Sequence, residues 1–249
     1  MNSQAIRKVQ VSDVDRLSKF EPFSRLPAPE LETFAAALAL SNFKRSEVIL
    51  NEADLSSGAN ILLRGIARVT CLGVHGARMT VAFLAPGPMP EFPSPLVSRS
   101  NFQCEAYNSC RIGSVSWGDF NRILVDSSAS ARKIFHDNDL KHRYQMLMRS
   151  ASFLHLELHD RIGIALLELC SEFGVEDKRG TLLRIFLTQD DIASLVGSSR
   201  PRITDQLGRL QREQLVIRHG RQIIVCVDKL LESLSIRDPA RAVRITAPS

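Results

Sequence analysis

A short stretch near the C-terminal end, Ser199-Arg200-Pro201-Arg202-Ile203-Thr204-Asp205, holds side chains that suit the edges of nucleic-acid bases. A guanidinium presents paired N–H donors, the geometry that guanine O6 and N7 accept in a major groove. A carboxylate can accept from a cytosine amine, and a hydroxyl serves as donor or acceptor. Ile203, Leu207 and Leu210 follow spacings of four and three, so on a helix they share one face and leave the polar set on the other. Arg200, Arg202, Thr204 and Asp205 are therefore the candidates for base contact. Thr188, Gln189, Ser199, Arg209, His219 and Arg221 are the candidates for phosphate contact, where donors fix register without reading sequence. Arg200 has the alternative of contacting phosphate only, and any of the phosphate candidates has the alternative of being plain solvated surface.

The elements that must hold these residues can be read from their punctuation. Thr188 suits an N-cap, and Asp190 and Asp191 in the following turn complement the helix dipole. The helix from Gln189 to about Val196 stops at Gly197, and a second start follows at once. Ser199 is placed as its N-cap, and Pro201 is tolerated where a missing N–H costs nothing. Ala193 is small where two helices must cross closely. The runs Leu215–Ile217 and Gln222–Val227, joined through Arg218, His219, Gly220 and Arg221, predict two strands with a basic tip. Helix, tight turn, helix and a two-stranded wing form the pattern of a winged helix-turn-helix.

Charge follows the same division. The 249 residues carry a net charge of +5, yet the segment from Lys178 to Ser249 holds 13 Lys and Arg against 7 Asp and Glu. The positive excess therefore lies wholly in the part that carries the helix-turn-helix pattern, as a phosphate-binding module attached to a neutral partner would show. The five cysteines are scattered without a CxxC pair, which argues for buried thiols rather than a metal site or a disulfide framework. His155 and His159 stand four apart, but no third ligand accompanies them. No apolar run approaches twenty residues and the N-terminus lacks an apolar signal core, so a cytoplasmic protein without membrane contact is expected. No nucleophile elbow, phosphate-binding loop or HExxH is present, so an enzyme is not expected.

Upstream the texture changes twice. From about Phe43 to Phe120, short apolar runs such as Ile61–Leu63, Ala67–Leu72 and Met79–Leu84 alternate with turn residues, and Gly73–Gly76 is placed as a hairpin turn. Such a pattern predicts a β-sandwich or jelly roll. From about Ser128, Leu140, Tyr144, Leu147, Ala151 and Leu154 repeat at 4-3-4-3, a heptad seam suited to a partner helix or to packing on its own domain. A second helix is expected from near Leu156 to Phe173, ended by Gly174.

The predicted class is α+β: an N-terminal β-roll of jelly-roll type, a long dimerisation helix and a C-terminal winged helix-turn-helix. The expected segments are an extension over 1–20, the β-roll over 21–127, the dimerisation helix over 128–156, the DNA-binding domain over 157–235 and a basic tail over 236–249.

This order of elements resembles the cyclic AMP receptor protein/fumarate–nitrate regulator (Crp/Fnr) superfamily. The stretch LTQDDIASLVGSSRPRITDQLGRLQREQLV is similar to that family's DNA-binding signature. LLRGIARV resembles its strand–KG–strand segment, with Arg64-Gly65 in place of Lys-Gly, and FLAPGPMPEF the strand leading to the ligand pocket. SFLHLELHDRIGIALLELC resembles the hinge and following helix. The resemblance implies a homodimer on a pseudo-palindromic DNA duplex, an effector bound in the β-roll, and RNA polymerase as a further partner. Arg200 matches the recognition-helix arginine that contacts guanine. Pro201 stands where several members carry a cytosine-reading glutamate, and Asp205 where an arginine often reads another guanine, which implies a different target sequence.

The pocket departs further. Family members that bind a cyclic nucleotide use a Gly-Glu pair and, about ten residues on, an Arg-Ser or Arg-Thr pair. Here Glu91 follows Pro90 rather than glycine, and Arg99-Ser100 comes eight residues after Glu91. Pro88, Pro90, Pro93 and Pro95 also remove four backbone donors. A cyclic nucleotide or cyclic dinucleotide is one effector to weigh, beside a different effector or none. Two alternatives stay open: a constitutive regulator with a vestigial pocket, and a ligand-sensing interaction protein whose basic winged helix docks protein or RNA.

Overall fold

The computed structural model describes residues 11–21, 23–50, 58–72, 78–89, 102–125 and 156–234, with positions 133, 136, 137 and 140 between. The chain divides into two compact units, Met1–Leu147 and Met148–Ser249.

In the first unit, strands β1 (Ala39–Phe43), β3 (Gly58–Arg64), β6 (Gly87–Pro88) and β8 (Cys110–Ser116) form one antiparallel sheet in the order β1-β8-β3-β6. Strands β2 (Val48–Leu50), β4 (Ala67–Leu72), β5 (Arg78–Leu84) and β7 (Phe102–Ala106) form a second, ordered β2-β7-β4-β5. Two four-stranded sheets make the β-roll expected from the turn spacing. Pro88 lies in an edge strand of the first, where its missing donor is tolerated.

The two faces of the first sheet serve separate cores. Leu40, Ile61, Leu63 and Val115 pack with Leu17 of helix α1 (Val11–Leu17) and with Leu31, Phe34 and Ala35 of helix α2 (Ala28–Ala36). Phe23 stacks on Phe34 at 5.1 Å. Helix α1 lies within the stretch set apart by sequence as an extension, yet its Leu17 is fully buried. Alternate residues Leu62 and Ile112 join Val69, Cys104 and Ala106 of the second sheet in another cluster. Burial pushes the Cys104 thiol up to about 12, so it sits there as a small apolar group.

Arg64-Gly65 makes the turn from β3 to β4. Gly65 has φ +99°, and a Cβ there would stand 2.3 Å from the Ser109 carbonyl oxygen, so a side chain is excluded on both counts. The Asn108 side chain closes the corner by accepting from the Ile66 N–H at 2.7 Å.

On the other face of the second sheet lies a buried carboxylate. Glu105 on β7 accepts from Arg68 Nε of β4 at 2.8 Å and from Arg78 Nη1 of β5 at 3.4 Å; Arg68 Nη2 closes on the same oxygen as Nε. Glu105 is 6% exposed, against 24% for Arg68 and 49% for Arg78. Arg68 also lies over the Tyr107 ring at 5.7 Å. An amide in its place loses the charge and one of the two acceptor oxygens, so one guanidinium would face an NH2 donor and the other a weaker, uncharged acceptor. Glu105→Gln should destabilise this unit by about 1–3 kcal/mol, read as a lower urea midpoint by fluorescence of Trp117, the single tryptophan of the chain. An unchanged midpoint would show that the triad contributes nothing net.

In the second unit, helix α4 (Leu158–Phe173) leads into a sheet of order β11-β12-β10-β9, from β9 (Gly174–Asp177), β10 (Gly180–Leu183), β11 (Val216–His219) and β12 (Gln222–Val225). Between β10 and β11 run helices α5 (Gln189–Val196) and α6 (Arg200–Arg212); helix α3 (Trp117–Phe120) belongs to the first unit. One correction concerns the end of the wing. The expected strand to Val227 stops at Val225, and Val227–Ser233 forms a further helix, α7. Leu230 of α7 is fully buried, so tertiary packing overrides the β-branched run that suggested a longer strand. Among the described residues no helix is long and apolar enough to cross a membrane.

Candidate nucleic-acid interface

The interface is built outward from helix ends. Thr188 caps α5 through a reciprocal pair of bonds with Asp191. Thr188 Oγ1 accepts from the Asp191 N–H at 3.1 Å, and Asp191 Oδ2 accepts from the Thr188 N–H at 2.8 Å. The Thr188 hydroxyl donates to the same carboxylate at 2.7 Å, so it is spent on the cap. At the other end Gly197 adopts φ 62° and ψ 52°, the left-handed cap that turns the chain directly into α6. Arg161 of α4 donates from Nη1 to the Val196 carbonyl at 3.0 Å and so satisfies one of the carbonyls that every helix end leaves open.

Ser199 occupies the N-cap position of α6 with extended backbone, but its hydroxyl makes no capping bond, contrary to the cap expected from sequence. Pro201 in the first turn has no N–H to offer, which removes one of the donors a cap would satisfy. Ser199 is exposed, and its hydroxyl has no hydrogen-bond partner among the described residues.

Ile203, Leu207 and Leu210 are all fully buried, and this fixes the rotation of α6. With 3.6 residues per turn, Arg200, Pro201, Arg202, Thr204 and Asp205 are turned outward, and each is exposed. The four base-contact candidates therefore share one solvent-facing surface. Thr204 Oγ1 lies 3.0 Å from both Gln189 Oε1 of α5 and the Arg200 carbonyl, so its single hydroxyl proton has two acceptors. Arg202 and Asp205 form no ion pair with each other among the described residues.

The phosphate candidates fall in three places. Gln189 is half-buried against Thr204, at the start of α5. Arg209 lies farther along α6 and donates from Nε to Glu213 at 2.8 Å; this partner raises the Arg209 pKa and lowers that of Glu213. His219 and Arg221 are exposed on either side of Gly220, in the turn between β11 and β12.

Sequence reasoning missed one contact in this surface. Asp190, placed there only as a helix-dipole acid, has its Oδ2 3.8 Å from Arg200 Nη1.

Other expected site residues are not brought into view. Glu91, Arg99 and Ser100 lie outside the described residues, as do Tyr144, Leu147, Ala151 and Leu154 of the heptad seam. Leu140, the first seam position, is helical and 57% exposed. A cavity of about 300 Å³ in the first unit is lined by β1, β2, β3 and β8, including Phe43, Leu50 and Ile112. Its polar side chains Asn60 and Ser114 bond each other at 2.7 Å.

Among the described residues the chain joins a β-roll of two four-stranded sheets to a winged helix-turn-helix unit. Residues 160–234 match the Crp-like helix-turn-helix domain family. Over 200 residues the chain is 24% identical to the global nitrogen regulator of Synechococcus elongatus, covering 79% of this chain and 89% of that one. Its fold is shared with a CooA variant of Carboxydothermus hydrogenoformans, at a TM-score of 0.66 and 16% identity over 91% of this chain and 97% of the other. A CRP/FNR-family transcriptional regulator of Thermus thermophilus aligns at a TM-score of 0.54 and 22% identity over 83% of this chain and 97% of the other. The fold of this chain is thus the one these proteins share, and residues 160–234 form a Crp-like helix-turn-helix domain.

The cap at Thr188 makes a measurable claim about the placement of α5. Thr188→Ala should cost about 0.5–2 kcal/mol and speed hydrogen exchange at the first-turn amides of α5, while Thr188→Ser should leave exchange nearly unchanged. Equal exchange in all three proteins would remove the capping box from the account.

Proposed function

We propose that this chain is a dimeric, sequence-specific DNA-binding transcription regulator that reads guanine through Arg200. The observation that carries the reading is the outward face of α6: Arg200, Arg202, Thr204 and Asp205 exposed together, opposite three fully buried apolar residues. The net positive charge from Lys178 onward supplies the attraction to phosphate that such a face needs. In helix-turn-helix proteins the N-terminal residues of the second helix contact base edges while the first helix crosses the backbone. That places Ser199, Gln189 and the wing residues His219 and Arg221 toward phosphates. The Pro201 side chain offers neither donor nor acceptor, so the cytosine contact that a glutamate makes at that helix position is ruled out.

Dimerisation is supported by the heptad spacing from Leu140 to Leu154 and by the exposure of Leu140. Two copies related by a two-fold axis would meet a pseudo-palindromic duplex, with half-sites one helical turn apart. The β-roll supports effector control of the same dimer. Glu91, Arg99 and Ser100 are its proposed ligand contacts, in a pocket whose proline content sets it apart from a cyclic-nucleotide cradle.

Footprinting with Arg200→Ala tests the reading. Loss of about 1–3 kcal/mol of discrimination, confined to guanine positions of a selected site and leaving binding to scrambled DNA largely intact, is the expected result. Unchanged site preference would sink the assigned role of Arg200. A wild-type protein that prefers no duplex over random DNA would sink the regulator reading itself.

A further inference from the structure

Arg200 already has a partner before any DNA arrives. Its Nη1 lies 3.8 Å from Asp190 Oδ2, and the two side chains are 65% and 69% exposed. Asp190 is the second residue of α5 and Arg200 the first of α6; the left-handed turn at Gly197 folds these ten-apart positions onto each other. An acid here calls for a reason. The first helix of such a unit crosses the DNA backbone, where a carboxylate repels phosphate. The helix does not need it for capping either, because Asp191 in the same turn supplies the carboxylate of the capping box.

Resting on the DNA-binding reading above, we propose that Asp190 is a specificity-determining residue that withholds Arg200 from phosphate and leaves it available to guanine. A phosphate and a carboxylate compete for a guanidinium in the same way, as oxyanions attracted by its charge. Moving Arg200 from Asp190 to a phosphate therefore exchanges one oxyanion for another and gains little. Guanine is different, because its O6 and N7 are neutral acceptors that need two aligned N–H groups. A guanidinium has five N–H donors, so Nη1 can stay on Asp190 while the others meet the base. The carboxylate also draws the guanidinium toward α5, and Thr204, whose hydroxyl lies 3.0 Å from both Gln189 Oε1 and the Arg200 carbonyl, ties the start of α6 to the start of α5. Asp190 is a positioning residue in this scheme and touches no base.

The experiment uses the full chain in four forms: wild type, Asp190→Asn, Arg200→Ala and the double variant. The probes are a duplex enriched by the wild type from a randomised library and a scrambled duplex of equal length, each titrated across a salt series. Asp190→Asn keeps the Thr188–Asp191 cap, so its fold should match wild type by circular dichroism. It should bind the scrambled duplex about two- to fivefold tighter, the range of an exposed ion pair, with a salt slope steeper by about one contact. Its affinity for the selected duplex should change less, so the specificity ratio narrows. In the Arg200→Ala background the same substitution should leave that ratio unmoved.

An equal gain with and without Arg200 would overturn the proposal, since Asp190 would then act only through bulk charge. An equal gain on both duplexes, or no gain on either, would overturn it too. Failure of the wild type to enrich any duplex would overturn the DNA-binding reading and the proposal with it.

Discussion

The rotation of one helix governs what this protein can present to a partner. Ile203, Leu207 and Leu210 of α6 have no solvent exposure, and Ile192, Leu195 and Val196 of α5 are buried with them. A helix anchored at three core positions cannot turn about its axis without exposing leucine or burying arginine, and either change is costly. The outward set from Arg200 to Asp205 is thus fixed by residues that never touch a ligand. The cap at Thr188, the left-handed turn at Gly197 and the Arg161 bond to the Val196 carbonyl hold the two helices at their ends. Recognition by a guanidinium fork requires such rigidity, because misplacing the fork loses the second bond and most of the discrimination.

A different economy operates in the β-roll. Its first sheet has apolar residues on both faces, one against the helices and one against the second sheet, whereas the second sheet carries on its far face an ion triad centred on buried Glu105. Glu105 is held by two arginines from neighbouring strands, and Arg68 adds contact with Tyr107, which in turn meets Phe83 edge-on at 5.0 Å. The pairing brings together residues on β4, β5 and β7, so register in that sheet is tied to charge as well as to apolar alternation.

The legible parts of the sequence were those governed by local chemistry. Gln189 and Val196 were recovered as helix ends because Thr188 and Gly197 act within a turn of them. The Arg64-Gly65 corner followed from the family resemblance, and the β-roll strands from short apolar runs between turn residues. Cys226 defeated the same reasoning: the run Ile223–Val227 is uniformly β-branched or apolar, and nothing local marks where the strand gives way to α7. Ser199 was placed correctly as an N-cap but not as a bonding one, because the effect of Pro201 on the donors appears only with the backbone in place. Glu105 reads in sequence as an ordinary polar strand residue. Its burial depends on arginines 37 and 27 positions away, beyond the reach of periodicity. The Asp190–Arg200 pair was hidden for the same reason, since ten residues and a reversal of direction separate its members.

That hidden pair bears on how a basic surface becomes selective. Positive charge attracts every phosphate alike, so adding arginines raises affinity for the intended site and for all competing DNA together. Selectivity is a difference between the two, and it grows when an interaction that serves the wrong target is weakened. Within the helix-turn-helix surface the three candidates with the most freedom, Arg202, Asp205 and Ser199, have no side-chain partner restraining them among the described residues, whereas Arg200 faces an acid and Thr204 faces an amide. The two restrained side chains are one helical turn apart on the same face, and both restraints come from the first two residues of α5. The helix proposed to cross the DNA backbone therefore also sets the posture of the candidate base-contact residues. On the proposed reading, a change at Gln189 or Asp190 would act on sequence preference through α6, without any contact of its own with a base.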